Sequence, residues 1–341
     1  MLMTIHPEFK LTHKNSAITR EEVSVQFPEI AQFLKEWSNE HSYITLQTSG
    51  STGVPKKVVI EKSVMWHSAG ATLKALNLDR PLRALLALSA SYIAGKMMLV
   101  RAMRGGWTLE IAAVSSNVLS EVEGEFSFAA LVPMQVEAGL HHLLKYGVII
   151  IGGAPVGVSL RKKLEQVDSA IYETYGMTET VSHIAIKKIE SGGKNLFHAL
   201  PGVHFSANEN DCLVIHAPEW NQPNLVTTDV VEWVSPTTFR WLGRADFVIN
   251  SGGVKIHPEE VETTIEQNLG IHGFLVGVPD ETLGMKAVFV VDEEPSIPLD
   301  FDFLSPYHRP KEVVVISTFP RTATDKIDRR ALADHAARDL A

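Results

Sequence analysis

One stretch of the chain reads Thr48-Ser49-Gly50-Ser51-Thr52-Gly53-Val54-Pro55-Lys56, and it directly follows the apolar segment Tyr43-Ile44-Thr45-Leu46. Its small residues let the backbone fold closely around an anion, and its N–H groups, hydroxyls and lysine supply donors and positive charge. The same composition could form a flexible linker, but linkers seldom lie directly between two short apolar strands. The stretch therefore predicts a polyphosphate-binding loop.

The spacing within this loop does not fit a Walker A motif. That motif needs a glycine, four further residues and then Gly-Lys-Ser or Gly-Lys-Thr. Here Gly53 follows Gly50 by three positions, and Lys56 precedes Lys57. A P-loop NTPase is therefore disfavoured.

The composition is that of an ordinary soluble globular protein. The chain has 341 residues, of which 45% are hydrophobic and 21% are charged, so it is long enough for two domains. Its net charge of -9 argues against a nucleic-acid partner held by phosphate contacts, since no long basic run offsets it. The one cysteine, Cys212, excludes an intrachain disulfide and is expected to be a buried small hydrophobe.

The sequence predicts neither a membrane span nor a secretory leader. Residues 1–14 lack an extended apolar run with a small-residue cleavage site, and the longest apolar runs have the length of strands. We therefore expect a cytoplasmic protein. The 14 histidines show no His-x-x-x-His spacing, so a zinc site is not expected.

Apolar strands alternate with helix-like segments from Ile44 to about residue 185. The pattern predicts strands at residues 84–88, 108–111, 148–151 and 170–175, and helices at residues 63–76, 96–104, 134–144 and 159–166. Such alternation implies crossover connections and a mostly parallel sheet. The predicted fold class is therefore α/β.

The sequence changes character twice after residue 185. Short strands broken by turn signals, at residues 213–215, 230–233 and 239–242, predict a β-rich lobe that completes a large domain. After Gly243-Arg244-Ala245-Asp246, the pattern predicts a helix at residues 258–269 and strands at residues 273–278 and 287–291. We predict a large domain at residues 1–245 and a small α+β domain at residues 246–341.

A second motif, Tyr175-Gly176-Met177-Thr178-Glu179-Thr180, follows a predicted strand. Its glycine permits a tight turn that presents a hydroxyl and a carboxylate at the ligand-binding edge of an open α/β sheet. A carboxylate beside a phosphate loop suits Mg²⁺, which bridges to phosphate oxygens. Taken alone, Glu179 could equally be a solvated surface acid.

Together the two motifs resemble the acyl-adenylate-forming superfamily, which contains acyl-CoA synthetases, aryl-CoA ligases, peptide-synthetase adenylation domains and luciferases. Further segments of the chain resemble family landmarks and follow in family order. They are Gly152-Gly153-Ala154 for the adenine-contacting segment, Thr227-Thr228-Asp229 for the ribose-binding Thr-Gly-Asp motif, Gly243-Arg244-Ala245-Asp246 for the hinge, and Pro320-Arg321-Thr322-Ala323-Thr324-Asp325-Lys326 for the segment with the adenylation lysine. Thr228 replaces the usual glycine.

Each landmark has an ordinary structural explanation when it stands alone. Gly152-Gly153 could form a turn, Asp229 and Asp246 could be turn or capping acids, and Lys326 could be a solvated lysine. Their common order across residues 48–329 argues against coincidence.

The resemblance implies that ATP activates a carboxylic acid as an acyl-adenylate. The phosphates would be held by Thr48, Ser49, Gly50, Ser51, Thr52, Gly53 and Lys56, and the rest of the nucleotide by Gly152, Gly153, Ala154, Tyr175, Gly176, Asp229 and Arg244. Glu179 would hold Mg²⁺, and Thr178 would contact an α-phosphate oxygen. Lys326 would stabilise the negative charge of the transition state.

The resemblance also implies a second half-reaction in which the thiol of CoA attacks the acyl-adenylate. The small domain would rotate about Asp246, so that Lys326 leaves the site. Gly252 and Gly253 would then approach, and their lack of side chains would let pantetheine pass close to the backbone.

Residues 175–184 are also similar to the o-succinylbenzoate–CoA ligases of menaquinone biosynthesis. Two departures are evident: Tyr92 stands where those enzymes usually have the histidine of a His-x-x-Gly element, and His183 stands where a glutamine is common. The second carboxylate of such an acid needs a cation or donors inside an apolar pocket. Tyr92, Lys96 and His183 are the candidates, although Lys96 also fits an ordinary helix-surface lysine.

The phosphate loop begins at residue 48, whereas family members usually carry a longer segment before it. The shortened N-terminal region predicts either a reduced fold or a surface covered by a partner, for which a homodimer is the simplest case. Three alternatives stay open: a ligase for another aryl or short acyl acid, a non-catalytic nucleotide-binding relative, and an adenylation domain that serves a carrier protein.

Overall fold

The computed structural model describes residues 3–48, 56–296, 298–322 and 327–340. Within them, the helices are α1 (Arg20–Gln26), α2 (Pro28–Ser38), α3 (Lys62–Ala75), α4 (Ile93–Gly105), α5 (Val118–Glu121), α6 (Pro133–Ala138), α7 (Val158–Leu164), α8 (Pro258–Leu269) and α9 (Arg329–Asp339). Short 3-10 helices occupy Leu140–Lys145, Thr178–Thr180, Pro218–Trp220 and Ala245–Phe247.

The strands up to residue 188 are β1 (Lys10–His13), β2 (Ser16–Ala17), β3 (Tyr43–Thr48), β4 (Lys56–Glu61), β5 (Arg83–Leu86), β6 (Thr108–Ile111), β7 (Phe126–Leu131), β8 (Tyr146–Ile151), β9 (Ala170–Gly176) and β10 (His183–Lys188). The later strands are β11 (Phe197–Ala199), β12 (His204–Ala207), β13 (Cys212–Ala217), β14 (Gln222–Ser235), β15 (Thr238–Arg244), β16 (Ile249–Ser251), β17 (Val254–Ile256), β18 (Phe274–Asp280), β19 (Gly284–Val291) and β20 (Glu312–Val315).

The main sheet of the described residues has 13 strands in the order β12-β13-β14-β15-β11-β10-β9-β8-β7-β5-β6-β1-β2. The strands from β1 through β6, β5, β7 and β8 to β9 are parallel. The α/β prediction is therefore confirmed, and the carboxyl ends of β7, β8 and β9 share one edge of the sheet.

Helices cover both faces of the parallel strands. Along β5, Ala84 and Leu86 belong to the buried cluster that includes side chains of α2, α3 and α4. Leu85 and Ala87 belong to a second cluster, with side chains of α5, α6 and α7. Because successive side chains of a strand point to opposite faces, this alternation explains the continuous apolar runs of the sequence.

The pair β3 and β4 departs from the predicted parallel alternation. The two strands form an antiparallel sheet of their own, in which Thr48 is the register partner of Lys56. The reason is the short connection at residues 49–55, since a parallel crossover needs a dozen or more residues. Strand β3, where the predicted alternation begins, therefore lies outside the parallel sheet.

The predicted β-rich region continues the main sheet and so completes it. Strand β10 pairs antiparallel with β9, and β11, β15, β14, β13 and β12 extend the sheet beyond it. Cys212 is buried in β13 and is a free thiol, as expected from its apolar neighbours.

Residues beyond 248 form a five-stranded sheet with the order β17-β16-β19-β18, in which β20 also pairs with β19. Helices α8 and α9 contact β18. The predicted helix at residues 258–269 is confirmed. The ion pair of Arg329 with Glu262 joins α9 to α8.

The predicted helix at residues 134–144 divides in two. Helix α6 ends before Gly139, and a 3-10 turn follows it. A Cβ at Gly139 would lie 2.6 Å from the Leu119 side chain, so this position allows α5 to pack closely. In the described parts of the chain, no helix combines the length and the apolar character that crossing a membrane requires.

Candidate active site

A cavity of about 280 Å³ lies at the carboxyl ends of β7, β8 and β9. Most of its wall is apolar, with polar groups concentrated at a few positions. The lining residues are Leu88, Ile93, Ala94, Arg101, Ala130, Leu131, Val132, Ile150, Gly152, Gly153, Thr174, Gly176, Met177, Val181, Ser182 and His183. The position matches the general rule that ligands of open α/β sheets bind beyond the carboxyl ends of the strands.

Arg101 is the charged side chain of the cavity wall. It is 2% exposed, and its Nη2 donates to Ser182 Oγ at 2.8 Å. Its Nε is buried without a hydrogen-bond partner, and it forms no ion pair with any described residue. Burial lowers the pKa of Arg101, yet a guanidinium keeps its charge in proteins. The cavity wall therefore carries a cation that has no ion-pair partner among the described residues.

His183 contacts Arg101 and is buried with it. Its Nδ1 lies 3.4 Å from Arg101 Nη2, and its Nε2 lies 3.1 Å from Thr72 Oγ1. Burial, and then the charge of Arg101, lower the pKa of His183 well below its ordinary value. The imidazole is therefore neutral at physiological pH.

The turn before His183 is strained. Val181 has φ 66° and ψ -46°, and Ser182 N donates to Thr180 O at 2.7 Å, which defines a tight three-residue turn. A branched residue at positive φ is costly, and such strain persists only where the surroundings enforce it. Here the strained turn presents Ser182 and His183 to the cavity.

Tyr92 and Lys96, two of the predicted pocket residues, do not line this cavity. Tyr92 caps the start of α4 and is 66% exposed. Lys96 is buried on another face of α4, with its Nζ 5.0 Å from the centroid of the Phe33 ring. Arg101 follows Ala94 by about two helical turns and so shares its face, whereas Lys96 lies about half a turn from Ala94.

The Gly152-Gly153-Ala154 segment follows β8 at the rim of the cavity. A Cβ on Gly152 would lie 2.5 Å from Thr174 Oγ1, and Gly153 has φ 84°. Ala154 is exposed. Gly152 thus allows the close approach of Thr174, and Gly153 adopts the left-handed conformation. Because neither has a side chain, the backbone at the rim stays open to a ligand.

A buried charge cluster lies below this segment. Glu173 is paired with Arg161 and with Lys187, whose Nζ lies 2.9 Å from its carboxylate. Glu173 also accepts a hydrogen bond from the backbone N of Val156 at 3.3 Å. Burial raises the pKa of Glu173, but the two cations lower it further, so the net shift is downward. The cluster thus anchors the chain that follows the glycines.

Tyr175, Asp229 and Trp241 form a second polar group on neighbouring strands. Tyr175 Oη donates to Asp229 Oδ2 at 2.5 Å, and Trp241 Nε1 donates to Asp229 Oδ1 at 3.2 Å. Burial, and then the charge of Asp229, raise the pKa of Tyr175. Thr228 lies inside the extended strand β14, where a side chain is tolerated, so its replacement of the family's glycine needs no special conformation.

Thr178 and Glu179 lie in a short 3-10 turn directly after β9. The Met177 backbone N donates to Thr180 Oγ1 at 2.9 Å, which fixes the start of the turn. The carboxylate of Glu179 is exposed and has no ion-pair partner among the described residues, while its carbonyl accepts from Gln222 Nε2 at 3.0 Å. One free carboxylate suits Mg²⁺, which is commonly bound by one or two carboxylates together with substrate phosphates.

Arg244 and Asp246 form an exposed ion pair at 2.8 Å where β15 ends. Arg244 is the register partner of Asp229 in β14. Gly252 and Gly253 connect β16 to β17, with φ values of 57° and 83°. Two consecutive left-handed residues are typical of a tight hairpin turn, which by itself accounts for both glycines.

The phosphate motif is only partly within the described residues. Thr48 ends β3 and Lys56 begins β4, as register partners. Ser49, Gly50, Ser51, Thr52 and Gly53 lie outside the described residues, as does Lys326. Their assignments stay predictions.

The profile of the AMP-binding enzyme family matches residues 7–202. The chain belongs to this family. A solved structure that is 34% identical, an acyl-CoA synthetase (AMP-forming)/AMP-acid ligase II-like protein from Dyadobacter fermentans, aligns with a TM-score of 0.63. The alignment covers 94% of this AMP-binding enzyme and 99% of the Dyadobacter chain.

Other relatives of this AMP-binding enzyme carry more specific names. A 2-succinylbenzoate–CoA ligase of Listeria monocytogenes is 26% identical over 90% of the chain and 73% of its own length. The o-succinylbenzoate CoA synthetase MenE of Bacillus subtilis, solved with the acyl-adenylate OSB-AMP, aligns at 23% identity with a TM-score of 0.67, over 84% of this chain and 68% of that chain. This last likeness shows the fold.

Sequence reasoning overlooked Arg101, Ser182, Thr72 and Trp241. For Arg101 the sequence did contain a signal, because apolar residues flank it on both sides, Met97-Met98-Leu99-Val100 before it and Ala102-Met103 after it. A charged residue inside such a run is seldom buried without a role. Thr72 and Trp241 offered no comparable signal, since their partners are 111 and 12 residues away in the chain.

Proposed function

We propose that this protein is an ATP-dependent acid–CoA ligase that converts o-succinylbenzoate to its CoA thioester through an acyl-adenylate, in menaquinone biosynthesis. The observation that carries the proposal is the buried guanidinium of Arg101 on the wall of an apolar cavity, where no described residue forms an ion pair with it. An apolar cavity alone would suit any aryl or acyl group. A charged group held there without an acidic partner suits a substrate that brings its own second carboxylate.

The cost of burying a charge supports this interpretation. An unpaired buried cation is destabilising, and it is retained where a ligand supplies the opposite charge. The planar guanidinium matches a carboxylate in geometry, and the single N–H of Arg101 Nε has no hydrogen-bond partner among the described residues. Relatives named 2-succinylbenzoate–CoA ligase act on such a dicarboxylate, which agrees with the proposal.

We propose that ATP binds along the same edge of the sheet. Gly152, Gly153 and Ala154 would contact the adenine, Tyr175 and Gly176 would flank it, and Asp229 and Arg244 would hold the ribose. Tyr175 and Trp241 already orient the Asp229 carboxylate, whose oxygens retain lone pairs for hydroxyl donors. The nucleotide and the acid would then meet near Gly176, which lines the cavity.

The phosphates would bind the 48–56 motif, with Thr48, Lys56 and the residues between them as donors. Glu179 has the free carboxylate for Mg²⁺, which would neutralise phosphate charge when bound. Thr178 would donate to an α-phosphate oxygen, and Lys326 would stabilise the transition state in which the acid's carboxylate displaces pyrophosphate.

We propose a domain boundary between residues 245 and 246, with Asp246 as the pivot. Two hydrophobic clusters lie wholly within residues 249–340. Among the described residues, the clusters of the main sheet extend no further than Trp241, which supports this boundary. Rotation about Asp246 would bring Gly252 and Gly253 toward the acyl-adenylate, where the thiol of CoA attacks and AMP leaves.

The test uses purified protein with ATP, Mg²⁺, CoA and a panel of acids that includes o-succinylbenzoate. AMP release and the mass of the thioester are measured together. We expect the CoA thioester of o-succinylbenzoate. If only another aryl or short acyl acid is turned over, that acid is the substrate and o-succinylbenzoate is not. Absence of AMP with every acid would favour a non-catalytic nucleotide-binding relative.

We also propose a homodimer and a cytoplasmic location, where ATP and CoA are available. Sedimentation over a range of concentrations tests the dimer, and a monomer at every concentration would contradict it. Cell fractionation tests the location.

A further inference from the structure

Thr72, His183 and Arg101 form a continuous hydrogen-bonded chain from α3 through β10 to α4. Thr72 Oγ1 lies 3.1 Å from His183 Nε2, and His183 Nδ1 lies 3.4 Å from Arg101 Nη2. All three side chains are buried, with exposures of 0%, 7% and 2%. The sequence predicts His183 as a pocket residue, but the proposed reaction gives neither Thr72 nor His183 a role.

The direction of these hydrogen bonds follows from the single proton of the Thr72 hydroxyl. That hydroxyl donates to the backbone carbonyl of Ser68, one turn earlier in α3, at 3.2 Å. The Thr72 oxygen therefore accepts from His183 Nε2–H. This leaves Nδ1 as an acceptor, with Arg101 Nη2 at 3.4 Å and the hydroxyl of Ser182 at 3.3 Å. A neutral imidazole can fill both roles, and the lowered pKa of His183 keeps it neutral.

We propose that Thr72 and His183 are positioning residues that hold the guanidinium of Arg101 and thereby select acids with a second carboxylate. The inference rests on the proposed function. His183 and Ser182 together engage Nη2 of Arg101, while Nε has no partner within the described ranges. The anchored nitrogen fixes the plane of the guanidinium, and the side chain of Arg101 lines the cavity.

The advantage of this arrangement is preorganisation. An arginine side chain has many rotamers, and ordering it at the moment of binding reduces affinity. A neutral anchor also adds no second charge, so the cavity wall keeps one net positive charge for one carboxylate. An acidic anchor would instead neutralise Arg101 and compete with the ligand.

Three variants separate this role from a general packing role. His183→Leu removes the hydrogen bonds of the imidazole to Thr72, Arg101 and Ser182. Thr72→Val removes the acceptor that fixes the imidazole while keeping the side-chain volume. His183→Gln is the conservative control, because its carboxamide can donate to Thr72 and accept from Arg101 in the same directions.

Affinity is measured by isothermal titration calorimetry with a non-hydrolysable ATP analogue and Mg²⁺ present. The ligands are o-succinylbenzoate and two analogues that each lack one carboxylate, benzoylpropionate and ortho-butyrylbenzoate. We expect His183→Leu to weaken binding of the diacid by roughly 10- to 100-fold, as for a hydrogen bond to a charged group. Thr72→Val should have a smaller effect in the same direction, and His183→Gln should stay within about threefold of the parent protein.

The decisive quantity is the ratio of diacid affinity to monoacid affinity. A fall of this ratio in His183→Leu and Thr72→Val, with recovery in His183→Gln, supports the inference. Equal weakening of all ligands, no change in the ratio, or a parent protein that does not prefer the diacid would overturn it. If His183→Leu does not fold by circular dichroism, Thr72→Val decides the question.

The proposed function can fail independently of this inference. A parent protein that releases no AMP, together with an affinity ratio that falls in His183→Leu and Thr72→Val and recovers in His183→Gln, would contradict the ligase but support the role of His183. AMP release with an unchanged ratio in the variants would contradict the role of His183 and leave the ligase in place.

Discussion

The phenol of Tyr175 donates a 2.5 Å hydrogen bond to the carboxylate of Asp229, across 54 residues of sequence. Trp241 binds the other oxygen of the same carboxylate. These two donors fix the acid that the family resemblance assigns to the ribose. The relationship links a residue of the parallel part of the sheet to one of its antiparallel extension.

Replacing Tyr175 by phenylalanine should weaken both folding and nucleotide binding. The ring keeps its contacts with Phe197 and Phe239, but a buried hydrogen bond to a charged group is lost. We expect a loss of roughly 1.5–3 kcal/mol in the free energy of unfolding, measured by urea denaturation. We also expect a higher KM for ATP.

A double-mutant cycle of Tyr175→Phe with Trp241→Phe shows whether the two hydrogen-bond donors of Asp229 cooperate. If the double variant loses only the sum of the two single effects, Tyr175 and Trp241 do not act together on Asp229. Tyr172→Phe, on the same strand and without a hydrogen bond to Asp229, is the matched control.

Arg101→Met should separate stability from substrate binding. The methionine fills a similar space without a buried charge, so we expect the free energy of unfolding to stay within about 1 kcal/mol of the parent or to rise. Binding of o-succinylbenzoate should weaken by about 100-fold, because its second carboxylate loses its counter-charge. Equal affinity of the variant and the parent for this diacid in calorimetry would contradict the assignment.

Lys326→Ala should slow adenylation much more than thioester formation. Loss of one electrostatic donor to the transition state costs about 10²- to 10³-fold in rate. Pyrophosphate release reports the first step, and CoA acylation from a supplied acyl-adenylate reports the second. Lys194→Ala, at an exposed lysine, is the control and should change neither rate.

Glu259 should make stability depend on pH. Burial raises the pKa of its carboxyl to about 7 from an ordinary 4.5, and its Oε2 has no partner in the described residues. Because the folded-state pKa is the higher one, folding favours the protonated acid. Stability should therefore fall as pH rises from about 4.5 to about 7 and then level off, by up to about 3 kcal/mol.

Glu259→Gln should remove this part of the pH dependence and stabilise the protein at pH values above about 7. The measurement is the unfolding free energy of both proteins across this range. A Cβ on Gly243 would lie 2.4 Å from Glu259 Oε2, so Gly243→Ala should destabilise the protein by a steric clash with this carboxylate. Parallel pH profiles for Glu259→Gln and the parent would contradict the role of this acid.

Gly95→Ala should be strongly destabilising for a purely steric reason. The new Cβ would lie 2.2 Å from the carbonyl oxygen of Ser89, which is backbone and cannot turn aside. We expect a loss of at least about 2 kcal/mol by urea denaturation. Gly157→Ala, whose Cβ would meet nothing within 4 Å, should cost about 1 kcal/mol or less.

The sequence by itself determined the elements of the fold and the order of the nucleotide motifs. Branched apolar runs such as Val148–Ile151 predict buried strands because both faces of a parallel strand are covered, and α8 was predicted with its observed bounds. The glycine-rich motif at residues 48–56 and the motif Tyr175–Thr180 are each contiguous in the sequence. Their chemistry can therefore be predicted from neighbouring residues alone. These features depend on short-range backbone geometry.

Only the tertiary structure decided which groups meet in the cavity. Arg101, Thr72 and His183 lie on three separate elements, and their hydrogen bonds depend on which face of α4 packs against β10. Lys96 is a basic residue of α4, as Arg101 is. Helical geometry nevertheless places Lys96 on another face of the helix, where its Nζ lies over the ring of Phe33. The sequence predicts that a second substrate carboxylate needs a cation in the pocket. The packing of α4 determines that Arg101, and not Lys96, lines the cavity.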